Sequence, residues 1–131
     1  GDKKTPKGFF RIGDLYFRKD RKKKPLTLLN CIEIKKSMGW CDDIRYPKKY
    51  NKLIKIDKKI KHEKLNRKDY KYDLLIPIKY NFKRTAIGLG SCIFIHLTQD
   101  YKPTAGCVAL KKKDFLIMLK LIKKNSKIKI F

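Results

Sequence analysis

The stretch Ser91-Cys-Ile-Phe-Ile-His96, followed at once by Leu97-Thr-Gln-Asp-Tyr-Lys-Pro-Thr-Ala-Gly-Cys107, decides how the rest of the chain is read. It begins as a short apolar strand that ends in a histidine. A polar loop follows, then a Gly-Cys pair. In an extended strand Cys92, Phe94 and His96 share one face, while Ile93 and Ile95 share the other. His96 is one of only 2 histidines, and it stands 11 residues before Cys107. A loop of that length can fold back and bring the two side chains together. A cysteine nucleophile needs such a neighbour, because the thiolate is the reactive form and a free thiol is mostly protonated at neutral pH. An imidazole can take the thiol proton and later return it to a leaving amine. Gly106 gives the backbone room to turn, so the amides at Gly106 and Cys107 could hold an oxyanion.

The residues around this pair carry a resemblance. Ile93-Phe94-Ile95-His96, then Pro103-Thr104-Ala105-Gly106-Cys107-Val108-Ala109-Leu110, then a helix with Asp114 and leucines, resembles the L,D-transpeptidase (YkuD) catalytic-domain family. That family carries a histidine at a strand end and a Ser/Thr-x-Gly-Cys motif further on. Gly1-Asp-Lys-Lys-Thr-Pro-Lys-Gly8 is similar to its Gly-Asp-Gly-x-Thr-Pro-x-Gly segment. Gly39-Trp-Cys-Asp-Asp43, Tyr72-Asp73 and Tyr80-Asn81 are similar to segments of one branch. The matches span nearly the whole chain, and the His…Thr-x-Gly-Cys part is the most specific.

The resemblance implies a mainly β fold, a β-sandwich with one helix from the C-terminal half packed on it, as one catalytic domain over residues 1–131. The family normally has one or two strands before the Gly-Asp-x-x-Thr-Pro segment. The true N-terminus, and any export signal, is therefore expected upstream of this sequence. The implied chemistry is acyl transfer on peptidoglycan stem peptides in the cell envelope. Cys107 is the nucleophile and His96 the base, oriented by a backbone carbonyl near the histidine, with Leu97 the candidate. Gly106 and Cys107 supply the oxyanion hole. Thr104, Trp40, Asp42 and Asp43 are candidates for substrate contact, since the loop bearing the last three lies near the active-site face in the family. Neither metal nor cofactor is needed. Two positions depart from many family members: Ala105 stands where a second histidine often precedes Gly-Cys, and Ala109 where an arginine or asparagine often follows. They bear on which acceptor is used and on how the donor carboxylate is held.

Composition bounds these expectations. At 131 residues the chain is one domain's length, enough to bury roughly two-thirds of its unfolded surface. No apolar run approaches the ~18–20 residues of a membrane span. The formal charge is +24, with 36 Lys and Arg against 12 Asp and Glu. Such an excess fits a polyanion partner or a lysine-biased proteome. Arginines are few (Arg11, Arg18, Arg21, Arg45, Arg67 and Arg84), and nucleic-acid readers favour arginine forks with stacked aromatics, so no obligatory nucleic acid is expected. The 4 cysteines, Cys31, Cys41, Cys92 and Cys107, form no CxxC pair, which argues against zinc; disulfides stay open.

The remaining pattern is short strands. Phe9–Ile12 and Leu15–Phe17 read as strands split in hairpin fashion at Gly13-Asp14. Arg18–Lys24 reads as a solvated charge run, Leu26–Ile34 as a strand and Ser37–Lys49 as a structured loop. Leu53–Ile56 alternates and reads as a short strand or loop segment, and Lys59–Asp69, with His62, reads as an exposed helix or loop. Tyr72–Tyr80 is the clearest strand, and Pro77 calls for an edge or a bulge. Lys112–Lys124 reads as a helix whose buried stripe is Phe115, Met118, Leu119 and Ile122. Ile128–Ile130 is a last strand. Two functional alternatives remain: a carboxypeptidase with water as acceptor, and a non-catalytic basic module binding nucleic acid or wall polyanions.

Overall fold

The computed structural model describes residues 6–82, 85–86, 90–100 and 107–131. The fold is mainly β, with one helix among the described residues. Its centre is a five-stranded mixed sheet in the order β3(Cys31–Glu33), β2(Leu15–Phe17), β7(Leu74–Pro77), β8(Phe94–Leu97), β9(Val108–Leu110). The β2–β3 and β8–β9 pairs are parallel, and the two central pairs are antiparallel. A three-stranded antiparallel sheet runs β5(Leu53–Lys55), β4(Met38–Cys41), β6(His62–Lys64). A two-stranded ribbon joins β1(Gly8–Arg11) to β10(Lys127–Ile130) near the two ends of the chain.

The alternation in β8 divides the interior. Ile93, Ile95 and Leu97 pack with Leu15, Phe17, Leu74, Ile76 and the helix α1(Lys112–Leu121), which contributes Phe115 and Leu119. Phe94 lies on the other face with Tyr16, Leu75 and Tyr72, beneath Trp40 and Leu65 from the three-stranded sheet region. The first core is chiefly aliphatic and the second chiefly aromatic. Phe115 and Leu119 are i and i+4 on one helix face, and both are fully buried. Truncating a buried residue of that size costs roughly 3–5 kcal/mol.

Pro77 has the bulge its missing N–H demands, and the extra residue lies on the neighbouring strand. Tyr16 pairs with Leu75, but the next bridge joins Ile12 to Ile78, so four steps on one strand answer three on the other. Gly13 fills the gap, donating its N–H to the Pro77 carbonyl at 2.7 Å. A Cβ on Gly13 would come within 3.3 Å of that same oxygen.

Several local expectations are corrected. β1 and β2 do not form a hairpin: β1 pairs with β10 and β2 with β3 and β7. The bulge at Gly13-Asp14 diverts the chain between sheets. Ser37–Lys49 is not only loop, since its first part is the middle strand of the three-stranded sheet. His62 is in a strand and half-buried, its Nδ1 2.7 Å from the Ile60 carbonyl. The Lys and Glu around it mask the period-2 pattern, because one face of this strand meets water. The helix stops at Leu121, where Ile122 turns extended. The strand within Leu26–Ile34 is only Cys31–Glu33, and that within Tyr72–Tyr80 only Leu74–Pro77.

Candidate active site

The site grows from β8 and its parallel neighbour. Register pairs Ile95 with Val108 and His96 with Ala109. Cys107, two residues before Ala109, therefore falls on the same sheet face as His96 and beside Phe94. That face is the aromatic one: Cys107 and Cys92 both pack against the cluster around Phe94. Thr104 and Gly106 lie outside the described residues.

His96 is 7% exposed, and its Nδ1 lies 2.9 Å from the Leu97 carbonyl oxygen. A carbonyl only accepts, so Nδ1 carries the proton and Nε2 is left as the free lone pair. The resemblance implies only a backbone carbonyl near the histidine, and the Leu97 carbonyl is the one that this histidine reaches. The Tyr72 ring meets the imidazole edge-on at 5.7 Å between centroids, and meets Phe94 the same way. The Tyr72 hydroxyl donates to Glu63 Oε1 at 3.0 Å, and Arg67 Nη1 donates to the same oxygen at 3.2 Å. The Arg67 guanidinium also lies over the Tyr72 ring, 5.0 Å from its centroid. Asp69 holds that guanidinium from the far side through Nε and Nη2. The imidazole is thus fixed at one nitrogen and wedged by a ring that is itself anchored.

Burial sets the protonation states. It pushes the Cys107 thiol up from 9.0, against a backbone hydrogen bond from Phe94 that pulls it down. It pushes the His96 imidazole down from 6.5, against the Leu97 hydrogen bond that raises it. At neutral pH the pair rests as thiol and neutral imidazole. Cys107 Sγ donates to the Cys92 carbonyl at 3.2 Å. Cys92 itself sits at φ 59, a left-handed conformation unusual for a residue with a Cβ. Burial lifts its own thiol to about 12. All four cysteines are present as thiols.

The three candidates on the Trp40–Asp43 segment differ in what they present. Trp40 is 4% exposed, donates its indole N–H to Asn51 Oδ1 at 2.9 Å, and meets Phe94 edge-on. Its remaining surface lines a cavity of about 150 Å³ shared with Tyr16, Pro77 and Phe82, which includes neither His96 nor Cys107. Asp43 is buried and accepts from Arg45 and from the Lys61 amide, which holds its carboxyl far below the usual carboxylate range. Asp42 keeps 19% of its side chain exposed and faces Lys61 Nζ at 3.9 Å. Asn51, at φ 57, latches this segment to the next by donating to the Tyr80 and Asn81 carbonyls. Glu63, Arg67 and Asn51 were not singled out in the sequence. Tyr72 was, but only as part of a matching segment. A tyrosine directly before an apolar strand was the one available signal.

A family model for the L,D-transpeptidase catalytic domain (YkuD) matches residues 1–130. Comparison with curated proteins found no match, and comparison with solved structures found none either.

Proposed function

Because this chain belongs to the YkuD family of L,D-transpeptidase catalytic domains, we propose that it is a cysteine acyltransferase acting on peptidoglycan stem peptides, with Cys107 as nucleophile and His96 as base. The observation that carries this reading is the shared face: an imidazole with Nδ1 tied to the Leu97 carbonyl stands on the same side of the sheet as a half-buried thiol.

The chemistry follows from those protonation states. His96 Nε2 takes the Sγ proton as the Sγ–C bond forms to the carbonyl between the third residue and the terminal D-alanine. The resulting oxyanion is held by the Cys107 amide, with Gly106 as its partner. Collapse breaks the C–N bond, and the imidazolium gives its proton to the departing D-alanine amine, leaving a thioester on Cys107. A side-chain amine of a second stem then attacks. Its proton passes to His96, the C–S bond breaks and the sulfur recovers a proton, giving a 3→3 cross-link. Because the thiol rests protonated, the base must act during attack. Tyr72, with Glu63 and Arg67 behind it, is a positioning residue that keeps the imidazole aimed. Thr104 and Asp42 are the substrate contacts retained. Trp40 and Asp43 support the segment from within.

The family acts on peptidoglycan, so the working location is the cell envelope. No helix among the described residues is long and apolar enough to cross a membrane. Incubation with disaccharide-tetrapeptides and intact mass measurement tests the reading. We expect a covalent acyl adduct with loss of D-alanine, absent in Cys107→Ala, and cross-linked dimers among the products. Tripeptide without dimers would make water the acceptor. No adduct and no turnover would leave a non-catalytic module.

A further inference from the structure

A cavity of about 710 Å³ lies away from His96. It is lined by Phe17, Lys19, Arg21, Lys22, Lys23, Lys24, Cys31 and Glu33. Phe17 and Cys31 both belong to the aliphatic core on the helix side of the central sheet, so this groove opens on the face opposite His96 and Cys107. It runs along β3, an edge strand of the sheet.

Its basic wall is built rather than loose. Arg18 is 5% exposed and donates to the Arg67 carbonyl at 2.7 Å while forking onto Asp20. Arg21 donates to the Asp69 carbonyl at 2.7 Å, to Asp73 Oδ1 at 3.0 Å and to the Lys68 carbonyl at 2.9 Å. The backbone N–H groups of residues 21 and 22 both return to the Arg18 carbonyl. The arginines are thus spent on fixing the loop, and the lysines beside them, Lys19 and Lys22 to Lys24, are what the loop presents. Against these lysines the lining offers one carboxylate, Glu33. Lys22 also lies against Lys112 of α1, and burial together with that second ammonium pushes its pKa below 10.5. Two like charges held in contact are relieved by an anion between them.

We propose that this groove is a binding site for a base-free phosphate polymer, held by Lys19, Lys22, Lys23 and Lys24 with Lys112 at one end. Its volume is that of ordinary ligand sites, roughly 300–1,000 Å³, and most of its lining residues are cationic, with Phe17 and Cys31 at its floor. A nucleic acid fits it less well. Single-strand binders stack bases on exposed aromatics, and the one aromatic lining this groove, Phe17, is 6% exposed. Lysines bind phosphate as point charges without reading shape. The site is independent of the acyl-transfer chemistry, since it lies across the sheet from it.

The test is titration of the full chain with short inorganic polyphosphate across a salt series. Three proteins are compared: the wild type, a groove variant (Lys19→Gln, Lys22→Gln, Lys23→Gln, Lys24→Gln) and a control variant of equal charge (Lys36→Gln, Lys48→Gln, Lys55→Gln, Lys58→Gln). The groove variant should bind at least about tenfold more weakly and lose roughly 2–3 from its salt slope, while the control stays within about threefold of wild type. Acylation at Cys107 and melting temperature should be unchanged in both. Equal weakening in the two variants would overturn the site in favour of diffuse charge. Tighter binding of single-stranded DNA through the same four lysines would overturn the base-free assignment.

Discussion

The two faces of the central sheet are made by the same strands yet do different work. On the helix side Ile93, just before β8, and Ile95 and Leu97 within it face an aliphatic core closed by Phe115 and Leu119. On the other side β8 offers Phe94 and His96 to an aromatic layer that also holds Tyr72, Trp40 and both Cys92 and Cys107. The aliphatic core asks only for volume and exclusion of water. The aromatic layer also has polar atoms to satisfy, and it satisfies them in named pairs: His96 with Leu97, Tyr72 with Glu63, Trp40 with Asn51, Ser91 Oγ with the Cys41 carbonyl. Such pairing fixes geometry where chemistry needs it. On this view stability resides mainly on the first face and reactivity on the second.

Mutations separate the two. Cys107→Ala should abolish covalent acylation by a carbapenem, read as an intact-mass adduct, with melting temperature unchanged to within a few degrees. His96→Gln should slow acylation by about 10²–10⁴-fold, the usual worth of a positioned base, measured by stopped-flow or timed mass spectra. On the opposite face Phe115→Ala should lower stability by about 3–5 kcal/mol in denaturant titration, while the acylation rate of the folded fraction stays near wild type. A large rate loss there would break the comparison. The smallest expected effect is at Tyr72→Phe. It keeps the ring against His96 and removes one hydrogen bond to Glu63, so stability should fall by about 1 kcal/mol and acylation should slow by no more than about fivefold.

The sequence showed the strand bearing His96 because it is a short apolar run, and His96 and Cys107 stood in a specific motif; the strand itself is Phe94–Leu97, and Cys92, at φ 59, lies outside it. The sequence showed the buried helix stripe at Phe115 and Leu119 through its period of 3.6. It missed two strands of the three-stranded sheet. Met38–Cys41 holds a glycine and follows two lysines, and His62–Lys64 alternates among charges, so neither has an apolar face long enough to announce a strand. Pairing across sequence gaps made those strands, and such pairing leaves no local signal. The Glu63–Tyr72–His96 chain was hidden likewise, since Glu63 and Tyr72 meet only once β6 lies over the central sheet. The lysine run at residues 19–24 looked like ordinary solvated charge because the bonds that fix it reach 46 to 52 residues along the chain.

The proposed acyl transfer needs His96 as base to a thiol that rests protonated. The most direct measurement is the pH dependence of Cys107 acylation in wild type and His96→Gln. Burial holds the imidazole below its ordinary 6.5 and the thiol above 9.0. In the proposed mechanism neutral imidazole is the working form, so activity should be full at neutral pH and fall on acidification through a midpoint below 6.5. That limb should vanish in the variant, leaving slow acylation that rises only above about pH 9 as free thiolate forms. An acid limb that survives unchanged in His96→Gln, or an adduct on a cysteine other than Cys107, would contradict it.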